Sequence, residues 1–253
     1  MEKLRVEDLH LSFKGVKAID GVSFGVQQGE IFAIIGPNGA GKTSVLNCIS
    51  GFYRPEKGRI FLNGREITTL PPQKRAALGV ARTFQNVELY RSGTVVANVL
   101  AGRIPRMRWG IVAAGIYWGP KRREEVVHRI KAEEILDFLD LEEYRYRIVR
   151  ELSYGIQKKV ELGRALALEP KLLLLDEIMA GLTVDEKLDM ARYILELKEV
   201  RKIPIVLIEH DMGVVMDLAD RVLVMDYGRV IALGVPKEIR EDPTVVQAYL
   251  GDG

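Results

Sequence analysis

The chain alternates before it runs. LRVEDL (residues 4–9) and VSFGV (22–26) put apolar side chains at every second position, the period of a half-buried strand, and predict an antiparallel start at a sheet edge. IFAIIG (31–36) is apolar without interruption, as a strand covered on both faces must be. GKTSVLNCIS (41–50) follows at helical spacing, and RIFLNG (59–64), with its Asn-Gly turn, predicts a further strand. Strand, loop, helix, strand is the order of a βαβ unit.

From residue 86 to 150 the pattern changes to short helical stretches. The most periodic, RREEVVHRIKAEEILDFLDL, carries Val126, Ile130, Ile135, Leu136 and Leu139 at helical spacing. Strand-like runs then return as KLLLLDE (171–177), IPIVLIEHD (203–211) and RVLVMDYG (221–228), separated by helical stretches and closed by a GRVIALG hairpin partner. The expectation is an α/β fold with a mixed core sheet and an antiparallel β edge. Residues 1–85 and 151–253 would build this core, and residues 86–150 an inserted helical subdomain that extends into the next helix to about residue 168.

At 253 residues and 47% hydrophobic content the chain is long enough for a full core. Its 37 basic and 35 acidic residues leave a formal charge of +2, without the basic excess that nucleic-acid binding usually leaves, so no nucleic-acid partner is expected. Cys48 is the one cysteine, which excludes an intrachain disulfide and a thiolate zinc cluster and fits a reducing compartment. MEKLRVEDLH lacks the apolar core of a secretory signal, and GIVAAGIYWG (110–119) is about half of the roughly 20 residues a spanning helix needs, so a soluble chain is expected. The surrounding stretch, 103–123, mixes six basic residues with apolar and aromatic ones. It reads either as a solvated loop with a hydrophobic tuck or as a surface resting against another protein or anionic headgroups.

GPNGAGKT, Gly36 to Thr43, fits G-x-x-x-x-G-K-[ST] without a mismatch. Gly36, Pro37, Asn38, Gly39, Ala40 and Gly41 would turn backbone N–H groups around phosphate oxygens, and the helix that follows, through Ser44, would present its positive end. Lys42 would reach the β- and γ-phosphates and Thr43 would ligate Mg²⁺, so the implied ligand is a nucleoside triphosphate. At the end of LLLLDE, Asp176 can hold Mg²⁺ and Glu177 can orient or deprotonate an attacking water; such acids otherwise merely cap the next turn.

The run ELSYGIQKKVELGRALALEPKLLLLDE (151–177) resembles the signature motif and acidic strand of ATP-binding cassette (ABC) ATPases. Together with NCISGFYRPEKG, GVARTFQNVELY, LIEHDMGVVMDLADRVLVMDYG and the ending DPTVVQAYLG, it is similar to the ATPase subunits of branched-chain amino acid importers across nearly the whole chain. Two positions depart from that pattern: Ile156 stands where glutamine usually follows the signature glycine, and Ile178 where proline usually follows the catalytic glutamate.

The resemblance implies a phosphate-loop NTPase that hydrolyses ATP with Mg²⁺ to power uptake of a small solute. In it Glu177 activates water, His210 positions the γ-phosphate, and Gln85 joins the site to the helical subdomain. Gln85 also joins Thr43 and Asp176 around Mg²⁺, and Phe13 stacks on adenine unless it is core. Ser153, Gly155 and Gln157 would bind the nucleotide of a second copy or a homologous ATPase, in a head-to-tail dimer that closes on ATP. Permease subunits and, indirectly, a solute-binding protein are the implied partners, at the cytoplasmic face of the cell membrane. Another cargo such as an amide or urea, or a non-transport cassette acting on nucleic acid, is the alternative.

Overall fold

The amino-terminal alternation forms β1 (Glu2–Phe13) and β2 (Val16–Gln27), which pair antiparallel. The uninterrupted apolar run forms β3 (Ile31–Ile35), buried at all five positions, and helix α1 (Lys42–Ser50) leaves the glycine loop after it. These assignments come from a computed structural model that describes residues 1–85, 87–107 and 120–250. β4 (Lys57–Leu62) and the short β5 (Arg65–Glu66) turn about Asn63-Gly64, as the Asn-Gly pair predicts.

Their pairing corrects the sequence reading. β4 joins β1, not β3, so the expected βαβ unit is not closed, and the expected antiparallel part, β2-β1-β4-β5, forms a sheet of its own. Alternation reports which face of a strand is buried; it carries no record of which sheet supplies the partner.

Helix α2 (Pro72–Ala77) leads into β6 (Val80–Arg82), and three longer helical pieces follow: α3 (Val95–Ala101), α4 (Pro120–Phe138) and α5 (Tyr154–Leu166). On α4 the apolar stripe is split: Ile135 and Leu136 are buried, as is Leu139 just beyond, whereas Val126 and Ile130 are about half exposed. The rest of the chain is β7 (Leu172–Asp176), α6 (Val184–Glu199), β8 (Ile205–Ile208), α7 (Met212–Leu218), β9 (Arg221–Asp226), β10 (Arg229–Gly234), α8 (Pro236–Glu241) and α9 (Pro243–Leu250).

The second sheet has the order β10-β9-β3-β8-β7-β6, parallel except for the β10–β9 hairpin, and is therefore mixed as expected. Both its faces are covered, which is why its strands read as continuous apolar runs. Leu172 and Leu174 of β7 join a core shared with α1 and the antiparallel sheet, while Leu173 and Leu175 join the core of α3, α4, α5 and α6. The parallel arrangement brings the carboxyl ends of β3, β7 and β8 to one edge, where open α/β sheets bind ligands.

Among the described residues no helix is long and apolar enough to cross a membrane. Of the basic and apolar stretch 103–123, residues 108–119 lie outside the described residues. Arg103 and Arg106 do not form an open basic surface: Arg103 is buried and donates to the Ala167 carbonyl and Glu169, and Arg106 donates to the carbonyls of Leu168 and Glu169. They satisfy carbonyls just beyond the end of α5, where a helix favours cations.

Candidate nucleotide site

Residues 36 to 41 pass from β3 to α1 in a backbone path that requires glycine at both ends. Gly36 (φ 148°) and Gly41 (φ 99°) have left-handed φ, and a Cβ on either would collide with the main-chain oxygens of Met225 and Ala18. Lys42, the first residue of α1, is buried and donates from Nζ to the carbonyls of Gly36 at 2.7 Å and Pro37 at 2.8 Å. Burial holds its pKa below the usual lysine range, opposed by the charges of Glu177 and Asp176. Thr43 and Ser44 follow on the first turn of α1, both partly exposed.

Two strands away, Asp176 ends β7 with 1% of its surface exposed. Oδ2 accepts from Arg82 Nη2 at 2.8 Å, and Arg82 also donates to Asn47 Oδ1 and Ser50 Oγ, tying the acidic strand to α1. Oδ1 is buried without a hydrogen-bond partner. Burial pushes the Asp176 carboxyl above the usual range, and Arg82 pulls it back. An orphaned buried carboxylate oxygen, on a strand tied through Arg82 to the helix whose first turn carries the Thr43 hydroxyl, is a donor set suited to Mg²⁺.

Glu177, the next residue, has a left-handed backbone (φ 53°) fixed by its N–H donating to the Ile208 carbonyl at 2.9 Å. Such non-glycine geometry stores strain that surrounding structure must hold, and it recurs at functional positions. Its carboxylate meets two of the sequence candidates: Oε2 accepts from Gln85 Nε2 at 3.1 Å, and Oε1 lies 2.7 Å from His210 Nε2. Gln85, Glu177 and His210 thus come from three segments distant in sequence to one point beyond β6, β7 and β8.

Phe13 ends β1, is 44% exposed and meets Tyr53 edge-on at 5.1 Å. It is therefore not core. The β2 strand that follows it passes the glycine loop where the Ala18 carbonyl abuts Gly41.

The signature segment sits elsewhere. Ser153 caps α5 by accepting from the Ile156 N–H at 3.4 Å, and Gln157 donates to the Leu152 carbonyl at 2.9 Å. Gly155 is buried against the Glu186 carboxylate of α6, and a Cβ there would collide with it. Among the described residues, no hydrogen bond or ion pair joins Ser153, Gly155 or Gln157 to residues 36–44. Both departures noted in the sequence are apolar residues used for packing: Ile178 is fully buried, and Ile156 packs against the helical core.

Sequence reasoning missed Arg82 and Glu209. Arg82 follows two apolar residues in a short strand and gives no local signal of a partner 94 positions away. Glu209 was visible only as an acid between the apolar end of β8 and His210. It is 4% exposed, accepts from the Met179 N–H at 2.8 Å, and so ties the loop after Glu177 to the segment carrying His210.

Burial and the neighbouring Glu177 charge raise the Glu209 pKa from 4.5 to about 7. Between those two values the folded chain binds a proton that the unfolded chain has lost, so this group's stabilising contribution is complete below about pH 4.5 and is lost as pH rises through 7. Glu209→Gln keeps an acceptor for Met179 and removes the titration. The variant is expected to gain on the wild type by up to about 3 kcal/mol at pH 8.5 and to converge with it near pH 4.5, read from denaturant unfolding at each pH. A difference independent of pH would contradict the assignment.

A glycine loop braced by its own buried lysine, at the same sheet edge as the strand-end carboxylates Asp176 and Glu177, defines a nucleoside-triphosphate-binding α/β protein with groups placed for hydrolysis. The family model described as ABC transporter matches residues 19–180, and one described as branched-chain amino acid ATP-binding cassette transporter matches 229–253. The chain is 39% identical over 249 residues to the high-affinity branched-chain amino acid transport ATP-binding protein LivG of Salmonella typhimurium, spanning 98% of both, and 40% identical over 250 residues to BraF of Pseudomonas aeruginosa, also 98% of both. A crystal structure of a nucleotide-free ATP-binding cassette from an ABC transporter superposes with a TM-score of 0.86 at 37% identity, covering 98% of this chain and 99% of that one. The ADP conformation of such a cassette gives the same TM-score and identity over 99% of both chains. The chain belongs to the ABC transporter family, as an ATP-binding subunit and an ATPase.

Proposed function

We propose that this ATPase powers import of branched-chain amino acids, working as a pair with a second copy or a homologous ATPase and bound to permease subunits at the cytoplasmic face of the membrane. The convergence of Gln85, Glu177 and His210 at the sheet edge that carries the phosphate loop is the observation that carries the hydrolytic reading. The cargo rests on similarity to importer ATPases across the whole chain.

In this reading Lys42 leaves the Gly36 and Pro37 carbonyls for the β- and γ-phosphates, and the amides of residues 36–44 surround them. Thr43 and Asp176, with Gln85, would hold Mg²⁺, which supplies charge neutralisation at the phosphates. Glu177 takes the proton of the attacking water while His210 and Gln85 fix its two oxygens. Phe13 offers an exposed ring to adenine. That no hydrogen bond or ion pair among the described residues joins Ser153, Gly155 or Gln157 to the chain's own loop fits a site completed by another copy, whose capped helix start faces the γ-phosphate. Loss of that phosphate removes the contact that favours the closed pair.

Residues 86–150, with α5 to about residue 168, serve as the unit that passes this motion outward. Beside Gln85, Phe52, Phe84, Glu88, Leu89, Tyr90 and Arg164 line a hollow of about 510 Å³, an aromatic seat with one acid and one base at its rim that fits a permease segment. The test is reconstitution in vesicles with the permease subunits and solute-binding protein. Leucine, isoleucine or valine is expected to raise ATP turnover severalfold; stimulation by urea or a short amide alone would reassign the cargo, and none by any solute would overturn the transport role.

A further inference from the structure

Helix α5 buries two opposite charges on one face, and neither bonds to the side chain of Gln85, Glu177 or His210. Lys158 is fully buried and Glu161 is 1% exposed; they lie one turn apart with Nζ and Oε2 at 3.6 Å. Removing an ion pair from water usually costs more than the attraction returns, so such a pair is weak evidence for stability and needs another reason to be there. The reason is visible in what the two charges hold. Glu161 Oε1 accepts from the main-chain N–H of Phe84 at 2.8 Å, and Lys158 Nζ donates to the main-chain carbonyl of Gln85 at 3.4 Å.

The two peptide groups belong to the irregular segment after β6, which has no strand to satisfy it. Burial pushes the Glu161 carboxyl above the usual range, and the Phe84 N–H and the Lys158 charge pull it back. Lys158 also lies 5.7 Å from the centre of the Tyr154 ring, in the first turn of α5. The Gln85 side chain in turn reaches Glu177 Oε2. One continuous path of contacts therefore runs from the start of the signature helix through Lys158 and Glu161 to the Gln85 backbone, and from the Gln85 amide to Glu177.

We infer that Lys158 and Glu161 are positioning residues that lock the setting of Gln85 at Glu177 to the attitude of α5, whose first turn is offered to the second copy. The inference rests on the paired-site reading above. A helix displaced by partner contact carries Gln85 with it, and occupancy at Gln85 is felt at Ser153–Gln157 in the same way. Two apolar side chains in place of the pair would fill the space but leave the Phe84 N–H and the Gln85 carbonyl without partners.

The test is steady-state ATP hydrolysis by the full chain. Lys158→Met is expected to lower kcat at least tenfold with the ATP KM within about twofold, and Lys158→Arg to restore kcat to within about threefold. In a Gln85→Ala background, Lys158→Met should cost less than twofold more, because the path is already cut. The doubly neutral Lys158→Met/Glu161→Gln chain, which strands no buried charge, keeps the test open if a single variant folds poorly, and it should show the same kcat loss. Effects that multiply with Gln85→Ala, or kcat losses that follow thermal stability alone, would reduce the pair to packing and overturn the inference. A wild-type turnover per chain that does not rise with chain concentration would instead reject the paired-site reading itself.

Discussion

Glu177→Gln is expected to leave ATP bound between two copies of the chain and uncleaved. The change is isosteric, and the backbone that aims the side chain is held independently by the Ile208 carbonyl, so the geometry survives. A glutamine oxygen still accepts from one of the two neighbours, Gln85 or His210, and only the base is removed. General bases contribute roughly 10²- to 10⁴-fold, and a loss of that size in kcat is expected. Binding has no such dependence on the proton acceptor. Neutralising a carboxylate beside the phosphates also removes a repulsion, so the closed pair should accumulate. Gel filtration in millimolar ATP with Mg²⁺ should therefore show a dimer for the variant, with the wild type mostly monomeric under the same conditions. A variant that remains monomeric, or that retains turnover within tenfold of the wild type, would remove Glu177 from the role of base.

The parts of this site legible in the sequence are those whose chemistry is local. The glycine loop is a contiguous backbone shape, and the pair Asp176-Glu177 ends an apolar strand, so eight residues or fewer declare each of them. Gln85, His210 and Phe13 carry no such local mark and were reached only through resemblance to a family. The structure places the first two together on Glu177 and leaves Phe13 exposed beside Tyr53.

What stayed hidden is charge turned inward. Arg82, Lys158, Glu161 and Glu209 all sit in patterns where an ionisable residue would be assigned to solvent, yet each side chain turns inward to a partner 30 to 94 positions away. Sheet membership was hidden for a related reason. RIFLNG shows the period of a strand, and only the antiparallel partner Leu4–Glu7, 55 or so positions earlier, decides that it leaves the core sheet.

Lys42→Ala is expected to remove nucleotide binding. Lys42 is the one residue of the loop that supplies a full positive charge, and it is buried at the position from which a lysine spans both terminal phosphates. Its ammonium braces the loop through the carbonyls of Gly36 and Pro37, at charge-assisted distances. Each bond to a charged partner contributes about 1.5–3 kcal/mol, so two lost contacts to phosphate predict a fall in ATP affinity of at least about 100-fold by titration calorimetry. The alanine also leaves two loop carbonyls without their donor, and a partial loss of loop order would weaken binding for a different reason. Lys42→Met separates the two causes only in part, since it fills the volume without the charge. Lys42→Arg restores donor and charge, but its planar head cannot sit where the compact ammonium does. If charge at this point is what holds the triphosphate, Ala and Met should lose affinity alike, Arg should recover a fraction, and all three should unfold within a few degrees of the wild type. ATP affinity in Lys42→Ala within threefold of the wild type would mean that the backbone amides alone hold the phosphates.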